Sequence, residues 1–333
     1  MILVTGGTGL VGSHLLVLLA KGNVPIRAIY RTKESIEKTK KVFSFYTNLP
    51  KESFANIEWV QADITDVPAM IPVFKGVKKV YHCAALISFD PADYITMRKV
   101  NIHGTAIIAN LAIDAKVEKL CFVSSIATIG DNPKKEFANE ENDWVGNEKN
   151  NGYAITKYGA ETEVWRASQE GVDVVIVNPG VILGSGFWAS GSGKMFSQIH
   201  KGFSFYSEGV TGFIGVKDVV NSMVQLMEST CKNERFILVS ENKSFKEVLF
   251  FIAEAFGKKK PTRCVQPWQV DLFWRWEWLV SKLTARKTRM SKYTAKTLHR
   301  KTYYSSEKCR TQLKVNFEKI ETVIYQVKKD FLL

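Results

Sequence analysis

Tyr153 and Lys157, in Tyr153-Ala154-Ile155-Thr156-Lys157, stand four residues apart. On a helix that spacing puts a phenol and an ammonium on one face, where both can serve a single reacting group. A second chemistry-bearing stretch opens the chain. Thr5-Gly6-Gly7-Thr8-Gly9-Leu10-Val11-Gly12 follows the apolar run Ile2-Leu3-Val4 and precedes an amphipathic run from Ser13 to Lys21. That order reads as strand, glycine turn, helix. Glycines let backbone approach a pyrophosphate, and the free amides and dipole of a helix N-terminus favour its negative charge. A nucleotide is therefore expected at this turn. The spacing Gly6-x-x-Gly9-x-x-Gly12 matches the G-x-G-x-x-G dinucleotide fingerprint only in part. The alternative is a strand-helix turn whose glycines serve packing alone.

These residues need a scaffold to position them. Apolar runs at Ile26–Tyr30, 57–60, 77–83, 120–124 and 172–177 alternate with helix-length segments. Such alternation predicts an α/β fold, a Rossmann-type doubly wound parallel sheet. After Gly180 the rhythm changes to glycine-rich loops, a helix near 216–227, a strand near 236–239 and further helices. A chain of 333 residues exceeds the size at which one core stops growing. Two units are expected: a nucleotide-binding domain over 1–180 and a smaller, mainly helical substrate lobe over 181–333, interleaved with the first. Open α/β sheets bind ligands beyond the carboxyl ends of their strands, so the lobe should close over that crevice.

Composition narrows the function classes. Met1 directly precedes the first strand, leaving no room for a cleavable leader, and no apolar run reaches the length of a membrane span. A cytoplasmic protein is expected. Cys83, Cys121, Cys231, Cys264 and Cys309 lack C-x-x-C spacing, and the five histidines lack metal-ligand spacing, so no metal is expected. The net charge of +13 is local: residues 258–310 hold 15 lysines and arginines against Asp271, Glu277 and Glu307. Trp268, Phe273, Trp274, Trp276 and Trp278 lie within this basic segment. Residues 268–301 offer two readings: peripheral contact with an anionic membrane, or rings packed in the small lobe beneath solvated charges. The second is the expectation.

Where such a fold binds NAD, an acidic residue is expected at the end of the second strand to hold the adenine ribose. Here that strand ends Ala28-Ile29-Tyr30-Arg31. The planar guanidinium of Arg31 suits a ribose 2′-phosphate, which favours NADP over NAD.

Further stretches follow the glycine turn in a fixed order: Ala62-Asp63-Ile64-Thr65-Asp66, Cys83-Ala84-Ala85, Val100-Asn101-Ile102-His103-Gly104-Thr105, Ser124-Ser125, Tyr153 with Lys157, and Asn178-Pro179-Gly180-Val181. Together they resemble the extended short-chain dehydrogenase/reductase superfamily over nearly the whole chain. The resemblance implies a catalytic set of Ser125, Tyr153 and Lys157, with Asn101 supporting it. It also implies a cofactor held by Gly6, Thr8, Gly9, Leu10, Val11, Gly12 and Arg31, with Asp63 and Ile64 at the adenine. Cys83, Ala84, Ala85, Tyr153 and Lys157 would lie beside the nicotinamide ribose, and Asn178, Pro179, Gly180 and Val181 beside the nicotinamide. Ser125 is preferred to Ser124 because the family's serine lies five residues before a glycine, here Gly130. A homodimer through the Tyr153 helix and its neighbour is implied as well.

The chemistry follows from charge. Hydride arriving at a carbonyl carbon leaves an alkoxide, which a tyrosine hydroxyl can protonate as general acid. An unperturbed phenol has a pKa near ~10, so a lysine cation is needed to stabilise the phenolate. Ser125 would polarise the substrate oxygen. Extended members include epimerases, dehydratases and reductases. The acidic pair that dehydratases place after the catalytic hydroxyl is replaced by Ile126 and Ala127. The Arg and His of the epimerase stretch Arg-Asp-(Tyr/Phe)-Ile-His-Val-x-Asp are absent from Thr211-Gly212-Phe213-Ile214-Gly215-Val216-Lys217-Asp218. Ile26-Arg27-Ala28-Ile29-Tyr30-Arg31 resembles dihydroflavonol-type reductases instead. The first expectation is therefore an NADP-dependent reductase or dehydrogenase of a small carbonyl or alcohol. A sugar-nucleotide epimerase is second. A cofactor sensor or a nucleic-acid-binding protein is the remote alternative, since the basic segment comes with no recognised nucleic-acid motif.

Overall fold

The computed structural model describes residues 1–47, 53–132, 137–146, 151–284 and 297–333. The first strands are β1 (Ile2–Thr5), β2 (Ile26–Tyr30), β3 (Ile57–Gln61), β4 (Lys79–His82), β5 (Lys119–Val123) and β6 (Asp173–Pro179). The later ones are β7 (Val181–Leu183), β8 (Phe205–Tyr206), β9 (Val210–Gly215), β10 (Glu234–Leu238), β11 (Glu241–Ser244) and β12 (Arg263–Cys264). Seven of them form one parallel sheet in the order β10-β6-β5-β4-β1-β2-β3. The doubly wound sheet expected from the alternation is present. Its seventh strand, β10, comes from beyond residue 180. The direction of winding reverses between β1 and β4, which opens a crevice at their carboxyl ends.

Helices α1 (Leu10–Leu19), α2 (Lys33–Ser44), α3 (Val67–Met70), α4 (Tyr94–Met97), α5 (Gly104–Asp114) and α6 (Gly152–Gln169) connect the first strands. They are followed by α7 (Gly193–His200), α8 (Val216–Glu228), α9 (Phe245–Ala255), α10 (Pro267–Thr284), α11 (Glu307–Leu313) and α12 (Ile320–Phe331). Side chains alternate across each strand, so Val4 packs on one face with Leu15, Leu16 and Val219 while Leu3 packs on the other with Ile108 and Val164. Burial on both faces is why the strands read as continuous apolar runs. A third core, with Phe196, Phe213, Ile252 and Ile324, holds the C-terminal lobe. Among the described residues no helix is long and apolar enough to cross a membrane.

One expectation fails in this lobe. Trp268, Phe273 and Trp276 on α10 are exposed and do not pack inside. The physical reason is the helix's narrow inward stripe, where Val270 is buried and Trp274, four residues on, is half-buried, which leaves Trp268, Phe273 and Trp276 toward solvent. The side chain of Trp278 and residues 285–296 of the 268–301 segment lie outside the described residues.

Candidate active site

The glycine turn is tight for identifiable reasons. Gly6 has φ +67°, and a Cβ there would lie 2.6 Å from the Ala84 nitrogen. At Gly12 a Cβ would strike the Gly6 carbonyl. Gly9 differs: its φ is −99° and a Cβ would meet only the Gly6 oxygen at 3.4 Å, an ordinary contact. The protein itself does not require a glycine at that position. Helix α1 has no side-chain N-cap, so its first-turn amides at Leu10, Val11 and Gly12 open onto the crevice unshielded by a capping group. Thr8 stands half-buried beside them.

The end of β4 lies against this turn. The Cys83 amide donates to the Thr5 carbonyl at 3.1 Å and the Ala84 amide to the Thr5 hydroxyl at 3.3 Å. Ala85 follows, exposed. Burial pushes the Cys83 thiol up to about 12, so it stays protonated. His82 is fully buried, with Nδ1 at 2.6 Å from the Thr5 hydroxyl and Nε2 at 2.9 Å from that of Thr105. Burial, and then repulsion from Lys157, lower its pKa to about 3 and keep the ring neutral.

Helix α6 delivers Tyr153 and Lys157. Asn151 caps it, its side chain accepting from the Ala154 amide at 2.7 Å, and fixes Tyr153 in the first turn. The Tyr153 ring meets Phe89 edge to face at 5.9 Å. Its pKa is pushed up to about 12 by burial, against the pull of a hydrogen bond with Ser125. That contact comes from Ser125, while the neighbouring Ser124 hydroxyl is buried without a hydrogen-bond partner. Tyr153 as a whole is half-buried, whereas Lys157 is buried. Its Nζ donates to the Val123 carbonyl at 2.7 Å and lies 4.2 Å from the centre of the Phe122 ring. Burial lowers its pKa to about 7, opposed by attraction to Glu161. Phenol, hydroxyl and amine thus converge at the carboxyl end of β5.

Asn101 sits in a widened π-helical turn, Arg98–His103, between α4 and α5. Its side chain accepts from the Leu86 amide at 2.7 Å and donates to the Leu86 carbonyl at 2.9 Å and the Thr156 hydroxyl at 3.1 Å. It therefore ties the segment bearing Ile87 and Phe89 to the Tyr153 helix.

At the adenine end Ile64 is buried and Asp63 half-buried. Burial alone would raise the Asp63 carboxyl, but two 2.8 Å hydrogen bonds from Thr65 and the attraction of Arg31 and Lys99 hold it below the usual carboxylate range. Arg31 is exposed at the end of β2. The Asn178 side chain turns into the protein. Its amide donates to Glu161 at 2.6 Å, to the Thr128 hydroxyl at 2.9 Å and to the Ser125 carbonyl at 3.2 Å. Pro179 is buried, Gly180 packs against the Gly212 carbonyl, and Val181 opens β7.

Sequence reasoning missed Glu161, Thr128 and His82 as parts of this centre. Glu161 stands four residues beyond Lys157, so the helical spacing that found the Tyr-Lys pair also contained it. No local signal marked His82, whose partners are 77 and 23 residues away.

Comparisons with known proteins bear on the family and the fold. The model of the NAD dependent epimerase/dehydratase family matches residues 2–238. The chain is 28% identical over 270 residues to sterol demethylase protein B of Methylococcus capsulatus, covering 80% of this chain and 77% of that protein. It is 26% identical over 277 residues to cinnamoyl-CoA reductase 2 of Arabidopsis thaliana, covering 79% and 80%. Its fold is similar to that of UDP-glucose 4-epimerase from Thermotoga maritima, with a TM-score of 0.77, 19% identity and coverage of 99% and 98%. Sheet order, glycine turn and family match together establish that this chain belongs to the NAD-dependent epimerase/dehydratase family, of the extended short-chain dehydrogenase/reductase type.

Proposed function

We propose that this protein is an NADP-dependent reductase or dehydrogenase of an apolar carbonyl or alcohol, with Tyr153 as the proton donor. The observation that carries the reading is the convergence of Tyr153, Ser125 and Lys157 at the end of β5. The residues present fit a dinucleotide: the uncapped start of α1 and the unobstructed Gly9 suit a pyrophosphate, and the exposed Arg31 suits a 2′-phosphate. Bound there, the nicotinamide supplies the hydride.

The chain's own groups then handle the substrate oxygen. Ser125 holds and polarises it, and Tyr153 gives it a proton as negative charge develops. A phenol with a pKa near 12 is fully protonated at neutral pH, which suits the reducing direction. Protonated Lys157 stabilises the phenolate left behind. Phe89, exposed and in contact with Tyr153, and the exposed Ile87 two residues before it favour an apolar substrate. Relatives named for a sterol and for cinnamoyl-CoA point the same way. An epimerase is the weaker reading, because Asp218 of the corresponding stretch accepts the Glu318 amide at 3.0 Å as a packing contact.

A panel of aldehydes, ketones, alcohols and sugar nucleotides, assayed in parallel NAD and NADP sets, tests the proposal. Net consumption of NADPH with an apolar carbonyl is expected. Product formed with no net change of cofactor would establish the epimerase instead.

A further inference from the structure

Helix α10 is amphipathic the wrong way round for a helix that serves only its own core. Val270 is buried, yet Trp268, Leu272, Phe273 and Trp276 are 66%, 63%, 41% and 56% exposed. Trp268, Leu272 and Trp276 recur every four residues, and Phe273 stands three before Trp276, so all four share one outward face. The Phe273 and Trp276 rings touch, at 6.1 Å between centres. Three residues before the helix, β12 pairs with β8, where Phe203 and Phe205 are also exposed and the Arg263 guanidinium covers the Phe205 ring.

The charge beside this face is mainly positive, with Asp271 and Glu277 the acids of α10 itself. Lys258, Lys259, Lys260, Arg263 and Arg275 are exposed on or just before α10, and the sequence continues with Lys282, Arg286, Lys287, Arg289, Lys292 and Lys296. The acids nearby form exposed pairs, Lys260 with Glu254 at 2.9 Å and Arg275 with Asp271 at 3.3 Å, which contribute little and exchange readily. Large apolar rings flanked by lysine and arginine match the two components of an anionic bilayer surface, its acyl boundary and its phosphate layer.

We propose that α10 docks this protein on anionic phospholipid membranes as an interfacial helix. Tryptophan suits the headgroup level, with its ring in the acyl boundary and its N–H in the wet layer. The face contains none of the catalytic residues, so the proposal stands apart from the reading of the active site.

Co-sedimentation of the full chain with vesicles of phosphatidylcholine alone, or with about 30% phosphatidylserine, is the test. Binding to the anionic vesicles only, weakened by salt and accompanied by a blue shift of tryptophan emission, is expected. The combined variant Trp268→Ser, Leu272→Ser, Trp276→Ser should bind about tenfold or more weakly while its melting temperature is unchanged. If that variant melts early, Lys258→Glu with Lys259→Glu makes the same comparison through charge. Absence of binding at low salt, or equal binding by wild type and variants, would overturn the proposal. Wild-type self-association released by the triple variant would overturn it too, since a second copy would then cover the face.

Discussion

At the scale of single residues, the chemistry depends on where burial places protons. Tyr153 keeps its proton up to about pH 12 because its phenol is removed from water, and the Ser125 hydrogen bond offsets only part of that effect. Tyr153→Phe should therefore lower kcat by about 10²–10⁴-fold with little change in cofactor binding. Steady-state kinetics beside a cofactor titration would check both halves, and unimpaired turnover would remove Tyr153 from its role. The glycines separate fold from function in the same way. Gly6→Ala forces an L side chain into a left-handed backbone against Ala84, and should cost about 2 kcal/mol or more of stability. Gly9→Ala meets no such obstacle in the protein. It should melt like wild type and bind NADPH at least tenfold more weakly, because the added methyl group stands where a pyrophosphate must approach. Thermal melts and cofactor titrations of the two variants should therefore diverge in opposite directions.

The helix α6 acts as a unit at the scale of elements. Tyr153, Lys157 and Glu161 project from successive turns of one face, and the two charged members are both buried. Burial lowers the Lys157 ammonium to about 7, so the cation is present below that pH and disappears above it. For reduction by the free enzyme, kcat/KM should fall as pH rises through about 7. Lys157→Met should remove this limb and leave a lower, flatter profile. A wild-type profile level from pH 6 to 9 would disconnect Lys157 from the reaction. The Tyr-Lys spacing was legible in the sequence because one helix supplies both residues. Glu161 had the same periodicity but no partner in sight, since Thr128 reaches it from the turn after β5 and Asn178 from β6. The preference for Ser125 over Ser124 came from the family's spacing to Gly130, whereas packing sets how the two hydroxyls point.

At the scale of the whole molecule, two buried histidines join distant segments. His14 links α1 to Tyr46 at 2.7 Å and to the Ser185 carbonyl at 3.1 Å, and burial lowers its pKa to about 4. His82 links the glycine turn to α5 and is lowered to about 3. Both stay neutral in the fold while an unfolded chain protonates them below about pH 6.5. Their contribution is therefore complete above that pH and is lost as pH falls toward 4, at roughly 1.4 kcal/mol per pH unit for each. Chemical denaturation between pH 7 and 5 should show this slope, and His14→Gln with His82→Gln should reduce it. Local pattern was enough for the alternation of strands and helices up to residue 180, the glycine turn and the Tyr-Lys pair, because periodicity and turn chemistry act between near neighbours in the chain. Tertiary structure alone decided that β10 completes the sheet, that Asn178 turns inward to the Ser125 loop, and that Trp268, Phe273 and Trp276 of α10 face outward. Each of those outcomes is a competition for burial among segments far apart in sequence, and a composition or a spacing contains no record of who wins it.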